Sequence, residues 1–377
     1  MSIQGMDIEK IPSLGGIFYD YTFLISSYIL QNMNKKSATL IGTLLIVMGA
    51  FLGFVIYVEN TNIPFSQFAQ NANSLEAVNQ LNKNTKTKIQ EPKKITTIAF
   101  VGDIMLDRGV KGSVNKNFAG DYNQLFKNAG ELKDYDILFG NLEGAVSNTG
   151  NNVGSIYSFR MNPVVMGVLK DAGFDIVSFA NNHVGDWNVA GFKDTLVRLD
   201  TAGIQHTGAG LNKVESEKVT IIEKNGIKFG FVGFSDVGPN WIQAKEKTPG
   251  ILLASDPKLP DIIKTAKEQC DVLIVSFHWG TEYQKIHNIR QEKLAHTAID
   301  TGADMVIGHH PHVVQDIRLY KEKPIVYSLG NFIFDQYFSK DTMQGMMYVV
   351  TFEDKKIIET SQKTVQLNKF FQIESIK

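Results

Sequence analysis

The chain has 377 residues and a formal net charge of −1, so it carries no electrostatic footprint for nucleic acid, and no nucleic-acid partner is expected. Hydrophobic residues make up 43% and charged residues 20%, enough apolar material for one large domain or two ordinary ones. A single cysteine, Cys270, excludes an internal disulfide framework and a thiolate metal cage; beside the apolar run 272–277 it reads as a buried structural thiol.

Residues 1–37 are expected on the cytoplasmic side of a membrane. Within them, 17–30 is too short and too polar to span a bilayer and suits an interfacial segment. Residues 38–58 contain no charged side chain, and at the helical rise they would cross an apolar layer of about 30 Å. The sequence that follows, Tyr57-Val58-Glu59-Asn60, is not the small-residue site of a cleaved leader, so an uncleaved single-pass anchor is expected. Lys35 and Lys36 before the run and Glu59 after it put the amino terminus inside and the rest outside the cell. Translation beginning at Met1 or at Met33 is compatible with this reading. Residues 59–94, rich in Asn, Gln, Lys and Thr, read as a flexible tether.

From Ile95 the pattern changes. Six apolar runs of strand length each stop at a polar cluster: Asp103; Asn141 with Glu143; Asn181-Asn182-His183; His278; His309-His310-Pro311-His312; and Asn331. Helical patterns lie between them at 163–172, 189–202, 257–269 and 291–302, several closed by Ala-Gly or Thr-Gly. Strand–helix alternation predicts an α/β domain over 95–354 with parallel central strands, followed by a strand and tail at 355–377. Two hairpins, about Asn225-Gly226 and near Asp354-Lys355, break the parallel winding and suit mixed sheets stacked as a sandwich. Ligands of such sheets bind at the carboxyl ends of strands, so all six clusters fall on one edge of the fold.

His278, His310 and His312 supply imidazoles, Asp103 and Glu143 carboxylates, and Asn141 and Asn182 amide oxygens. Mixed nitrogen and oxygen donors without thiolate suit Mn, Fe or Zn, as one ion or as two sharing a hydroxide. His183, beside Asn182, is placed to protonate a leaving oxygen. Arg160 either binds an anionic substrate group or forms a surface salt bridge, and Asn331 is assigned with it to the substrate. Each strand-end residue also has a plain structural role open to it: Asp103 and Asn141 as caps or turn formers, His278 as a hydrogen-bonded core residue. Asp107 and Arg108 read as an ion pair, and Asp186 and Trp187 as either orienting His183 or capping the next helix. His206, His287 and His296 carry no local signature and read as structural.

The ordered motifs Gly102-Asp103-Ile104-Met105-Leu106, Gly140-Asn141-Leu142-Glu143, Asn181-Asn182-His183, His278-Trp279-Gly280, Gly308-His309-His310-Pro311-His312 and Ser328-Leu329-Gly330-Asn331-Phe332 resemble those of the CapA-type capsule-synthesis proteins associated with poly-γ-glutamate, across residues 95–350. That family is similar to the calcineurin-like metallophosphoesterases, whose fold is a β-sandwich flanked by helices. The resemblance implies Asp103 as the first metal-binding aspartate, Glu143 or Asn141 at the bridging position, Asn182 as a ligand with His183 as the acid, then His278, and His310 with His312 as the closing pair. His309 has no counterpart. Where the phosphoesterases carry a histidine two residues after their first aspartate, this chain has Met105, a poor ligand that leaves one metal position weak or lost. The bridging aspartate is replaced by the Gly140–Glu143 context, and 186–188 reads Asp-Trp-Asn instead of Asp-Tyr-Gly.

Two functions follow. One is an extracytoplasmic metal-dependent hydrolase of a phosphoester or amide in an envelope polymer, with membrane-bound polymer synthase subunits as neighbours. The other is a non-catalytic component that binds or exports an anionic polymer.

Overall fold

The computed structural model describes residues 93–377. The expected cytoplasmic segment, the apolar run 38–58 and nearly all of the tether 59–94 lie outside the described residues. No helix among the described residues is long and apolar enough to cross a membrane.

The opening strand, β1 (Ile95–Ile104), is buried over nearly its whole length, because period-two alternation gives it two apolar faces. Ile98 and Phe100 point into one core, Ala99 and Val101 into another. Parallel to β1 run β2 (Ile137–Leu142), β3 (Ile176–Ser178) and β4 (Gln205–Thr207) in sequential order. A second sheet begins with the hairpin of β5 (Thr220–Lys224) and β6 (Ile227–Ser235). Its turn is Asn225-Gly226, both at positive φ (52° and 74°), the backbone a two-residue hairpin requires. Asn225 also donates to the Ile95 carbonyl at 2.7 Å, tying the hairpin to the first sheet. β7 (Val272–His278) and β8 (Met305–His309) continue parallel to β6, and β9 (Ile317–Tyr320) with β10 (Lys323–Val326) closes that edge.

The chain then returns to the first sheet. β11 (Asn331–Ile333) lies parallel beside the end of β1, and β12 (Gln344–Glu353), β13 (Lys356–Leu367) and β14 (Ile373–Ile376) extend the other edge antiparallel. The β12–β13 turn falls at Asp354, also at positive φ. The first sheet therefore has eight strands and the second six.

The two sheets face each other across Phe100, Phe139, Phe229, Phe231, Ile274, Ile307 and Phe352. Phe139 stacks on Phe231 with ring centroids 5.7 Å apart, and Phe229 meets Phe352 edge-on at 5.1 Å. Each such ring contributes about 1.5–3 kcal/mol by burial. The outer face of the first sheet packs on α2 (Val165–Ala172) and α3 (Asn188–Ala202), preceded in the chain by α1 (Arg108–Asn117). The outer face of the second packs on α5 (Leu259–Lys267) and α6 (Ile289–Thr301); a short α4 (Lys213–Glu217) sits between the halves in sequence. Helices, sheet, sheet and helices form four layers.

The four expected helices form within two residues of their sequence limits, α5 losing two at each end to run from Leu259 to Lys267. α2 and α3 both end at a glycine in the left-handed region, Gly173 and Gly203. α1 and α4 were not foreseen. α1 buries only Val110 and Val114 and holds a glycine midway, too little periodicity to read.

Candidate metal centre

The carboxyl end of β1 is brought unusually close to the loop before β11. A Cβ on Gly102 would sit 1.9 Å from the Gly330 carbonyl oxygen, so only glycine admits this approach. The next amide, of Asp103, donates to that same oxygen at 3.0 Å. Asp103 is thereby turned inward, with no solvent exposure. Asn141, beside it on β2, donates from Nδ2 to Asp103 Oδ1 at 2.8 Å, and Asn181 donates to the Leu142 carbonyl at 2.8 Å. These amides fix the carboxylates as an ordered shelf.

The second sheet supplies the imidazoles. His278 ends β7; its Nε2 meets Asn182 Oδ1 at 2.8 Å and its Nδ1 lies 3.3 Å from Asn141 Nδ2. The amide oxygen accepts and the amide nitrogen donates, so the ring carries its hydrogen on Nε2. Burial, then the neighbouring histidines, hold His278 well below the usual imidazole range, so it stays neutral. After β8 the chain takes left-handed backbone at His310 (φ 96°) and His312 (φ 57°), which non-glycine residues rarely adopt. The turn aims both rings into the shelf. Burial pushes His310 down to about 3. His312 goes the other way: burial opposes its charge, but Glu143 and Asp103 outweigh that and raise it to about 9. Its Nδ1 lies 3.3 Å from Asp103 Oδ2 and its Nε2 3.8 Å from Glu143 Oε1. Asp103 shows the reciprocal shift: burial would raise it, but the hydrogen bond and charge of His312 hold it below the carboxylate range. Glu143 is raised well above that range, chiefly by burial.

Two sets of donor atoms converge within 4.8 Å: Asp103 with Glu143 and His278, and Glu282 with His310 and His312. Two buried atoms there have no hydrogen-bond partner, Glu143 Oε1 and His310 Nδ1. Orphaned buried acceptors are costly, and a cation between such lone pairs would satisfy them. The donor chemistry therefore fits a divalent metal.

Beside this cluster His183 Nδ1 lies 2.8 Å from Asp186 Oδ2. The same carboxylate accepts the Phe159 amide at 2.9 Å, and the Phe159 ring lies 4.0 Å from that of His183. Asp186 thus orients His183, one of the two roles its position suggested. His183 opens onto a cleft of about 320 Å³, lined also by Arg108, Tyr157, Glu282, His312 and Gln336.

The remaining expected residues fall elsewhere. Asn331 is fully buried behind His312: its Oδ1 faces His312 Nδ1 at 3.0 Å, and its Nδ2 donates to Gln336 and the Thr342 carbonyl. Arg160 does not line the cleft; it stacks on Trp187 at 3.5 Å beside a separate shallow polar groove. The cation at the cleft is Arg108, which pairs with Asp335 at 2.8 Å instead of Asp107. His309 faces the inter-sheet core, 3.3 Å from the Val101 carbonyl. Met105 packs with Phe159 and Phe334 as an apolar wall. His287 and His296 stack on Tyr327 and Tyr320 as structural rings. Glu282 was missed because it sits in an aperiodic loop where nothing marks a single carboxylate.

Fold and site together define a two-sheet α/β protein with converging metal donors at the strand ends. The bacterial capsule synthesis protein family, PGA_cap, matches residues 97–336, and the chain belongs to that family. It is 36% identical over 245 residues to the PGA biosynthesis protein CapA of Bacillus subtilis, covering 64% of each chain. It is 36% identical over 259 residues to the capsule biosynthesis protein CapA of Bacillus anthracis, covering 66% of this chain and 62% of that one. The match thus spans less than two thirds of either relative. A probable polyglutamine synthesis accessory protein of Mycobacterium tuberculosis is 27% identical over 284 residues, 64% of this chain and 75% of its own. Among solved structures, the calcineurin-like phosphoesterase YfkN of Bacillus subtilis aligns at 17% identity and a TM-score of 0.43, covering 73% of this chain and 91% of that one. A Mycoplasma pneumoniae phosphatase aligns at 14% and 0.45, covering 73% and 95%.

Proposed function

We propose that the chain is a membrane-anchored, extracytoplasmic, metal-dependent hydrolase of the phosphoesterase type, acting on an anionic capsular polymer or its precursor. The observation that carries this reading is the pair of orphaned buried atoms, Glu143 Oε1 and His310 Nδ1, beside an oriented histidine. Membership of a capsule-synthesis family supports the biological setting, and membrane-bound synthase subunits are the expected neighbours. The apolar run 38–58 supports the anchor.

Asp103, Glu143, Asn182, His278, His310 and His312 would hold Mn, Fe or Zn, with Asn141 bracing the carboxylates. A bound divalent ion supplies Lewis acidity and a water of lowered pKa. The chain's own residues do the rest. Asp186 only accepts, so it keeps the hydrogen of His183 on Nδ1 and directs Nε2 toward the cluster, 3.8 Å from Glu143 Oε1. Protonated at Nε2, His183 delivers that proton to a leaving oxygen. Phe159, Phe334 and Met105 keep bulk water from the inner wall. Elemental analysis of the purified full-length chain tests the reading, with His310→Ala/His312→Ala as control and a phosphoester and γ-glutamyl substrate panel alongside. Metal lost in the double variant, with turnover lost in His183→Ala, is the expected result. Metal retained without turnover on any substrate, or polymer export spared in His183→Ala, would instead favour a polymer-binding role.

A further inference from the structure

Five aromatic side chains among the described residues are exposed, and four of them, Tyr157, Tyr283, Tyr337 and Phe338, line the cleft into which His183 and His312 open; Tyr337 and Phe338 stand at its rim, where a second groove running to Phe371 begins. Tyr337 is 77% and Phe338 63% exposed, which is costly for such rings in the absence of a ligand. They form a path outward from the metal centre. Tyr283 lies 6.3 Å from His312, and its other side meets Phe338 at 5.1 Å, nearly perpendicular at 87°. Its backbone is held in the left-handed region (φ 65°), with its amide donating to the Pro311 carbonyl inside the histidine turn. Gln336 Nε2 donates to the Tyr283 hydroxyl at 3.2 Å, and Glu282 stands next to it in the chain. Arg108, 5.7 Å from the Tyr157 ring, closes the opposite side.

We infer that this aromatic collar is a subsite for a sugar ring, so that the scissile group at the metal centre is borne on a glycosyl unit. The inference rests on the proposed hydrolase reading and names its substrate class. A hexose offers C–H groups to one aromatic face and hydroxyls to its edge, and the collar offers both. Faces come from Tyr337 and Phe338, and hydrogen-bonding groups from Gln336, Glu282 and the tyrosine hydroxyls. A nucleobase would call for two parallel rings enclosing a slot, and the perpendicular Tyr283–Phe338 pair does not make one.

The test is calorimetric titration of the metal-loaded full-length chain with inorganic phosphate, a hexose 1-phosphate, a nucleoside 5′-monophosphate and a γ-glutamyl oligomer. The same set is run on Tyr337→Ala/Phe338→Ala, whose exposed positions tolerate truncation. The hexose phosphate should bind about tenfold tighter than phosphate, a gain the double variant loses while its phosphate affinity is unchanged. No gain from the ring, a gain that survives the double substitution, or a larger gain from the nucleotide or the oligomer would overturn the inference. A methyl hexoside, which needs no metal, reads the collar alone through saturation transfer from the aromatic protons, expected in the wild type and absent in the variant. Phosphate binding that is insensitive to chelation would sink the metal-centre reading. Absence of transfer to the hexoside would sink the collar.

Discussion

Replacing Glu143 by glutamine should move the metal-free and metal-loaded proteins in opposite directions. The carboxyl is fully buried and Oε1 has no partner, and burial is the largest influence raising it well above the carboxylate range. Ionising it therefore destabilises the metal-free fold. Glutamine keeps the volume and removes the charge. It also forfeits the attraction to His312, 3.8 Å away, but that influence is smaller than burial, so relief wins. The amide leaves a polar atom unpartnered as the carboxyl does, so only the cost of burying charge is recovered, and relief on the order of 1 kcal/mol should raise the melting temperature in chelator by about 1–4 °C for a chain of this size. Metal reverses the order. At a free ion concentration a hundred times Kd, binding stabilises the wild type by about 2.7 kcal/mol, roughly 5 °C, and a neutral amide oxygen at position 143 forfeits most of this. Differential scanning fluorimetry of both full-length chains, in chelator and across titrations of Mn, Fe and Zn, would show the curves crossing. A variant that melts below the wild type in chelator, or a wild type indifferent to all three ions, refutes the reasoning.

Other outcomes follow from neighbouring groups. Because His312 is raised to about 9 in the metal-free fold, its contribution to stability is complete below about pH 6.5 and is lost as pH climbs toward 9. Urea denaturation in chelator should show that decline, and His312→Asn should flatten it. The same proton must leave before a metal binds, so calorimetric metal affinity should tighten over that pH window. Asp186→Asn should lower kcat by about 10²–10⁴, the scale for losing a carboxylate that orients a catalytic histidine, with metal content by elemental analysis unchanged. Gly208→Ala should cost about 3 kcal/mol or more by urea denaturation: φ is 77° there, and a Cβ would lie 2.3 Å from the Gly233 carbonyl oxygen.

The strand ends were legible because each apolar run had to stop where it met the donor cluster, and the polar residue that stops it is the one the fold turns into that cluster. Asp103, His278 and His312 could be found that way. Asn331 was expected to end a strand and meet the substrate, whereas it opens β11 and lies fully buried behind His312, an arrangement that no strand end announces. His309 was readable and was not read. Met305, Ile307 and His309 are alternate residues of β8, so the period that buries the first two in the inter-sheet core carries the third there as well. The loops 279–288 and 334–343 gave no signal, since neither helical nor strand periodicity governs them. Glu282 and Tyr283 meet His312 only because β7 and β8 pair side by side, and Gln336 and Phe338 only through the return of the chain from the second sheet to the first. Arg108 shows the same limit: the adjacent Asp107 was the obvious local partner, and Asp335, far along the chain, takes its place.

The donor atoms are divided between two plates of the molecule. Asp103, Asn141, Glu143 and Asn182 belong to the first sheet and the loops at its end; His278, His310 and His312 belong to the second. Between the plates lies a greasy, non-directional contact that tolerates sliding, since packed rings lose little when shifted slightly. Metal–ligand bonds tolerate far less, with lengths held within about 0.2 Å. A cation seated there would work as a rivet through the sandwich and register the alignment of the plates. Repacking at Phe139 or Phe231, well below the site, would then be felt first as altered metal affinity and only afterwards as lost stability.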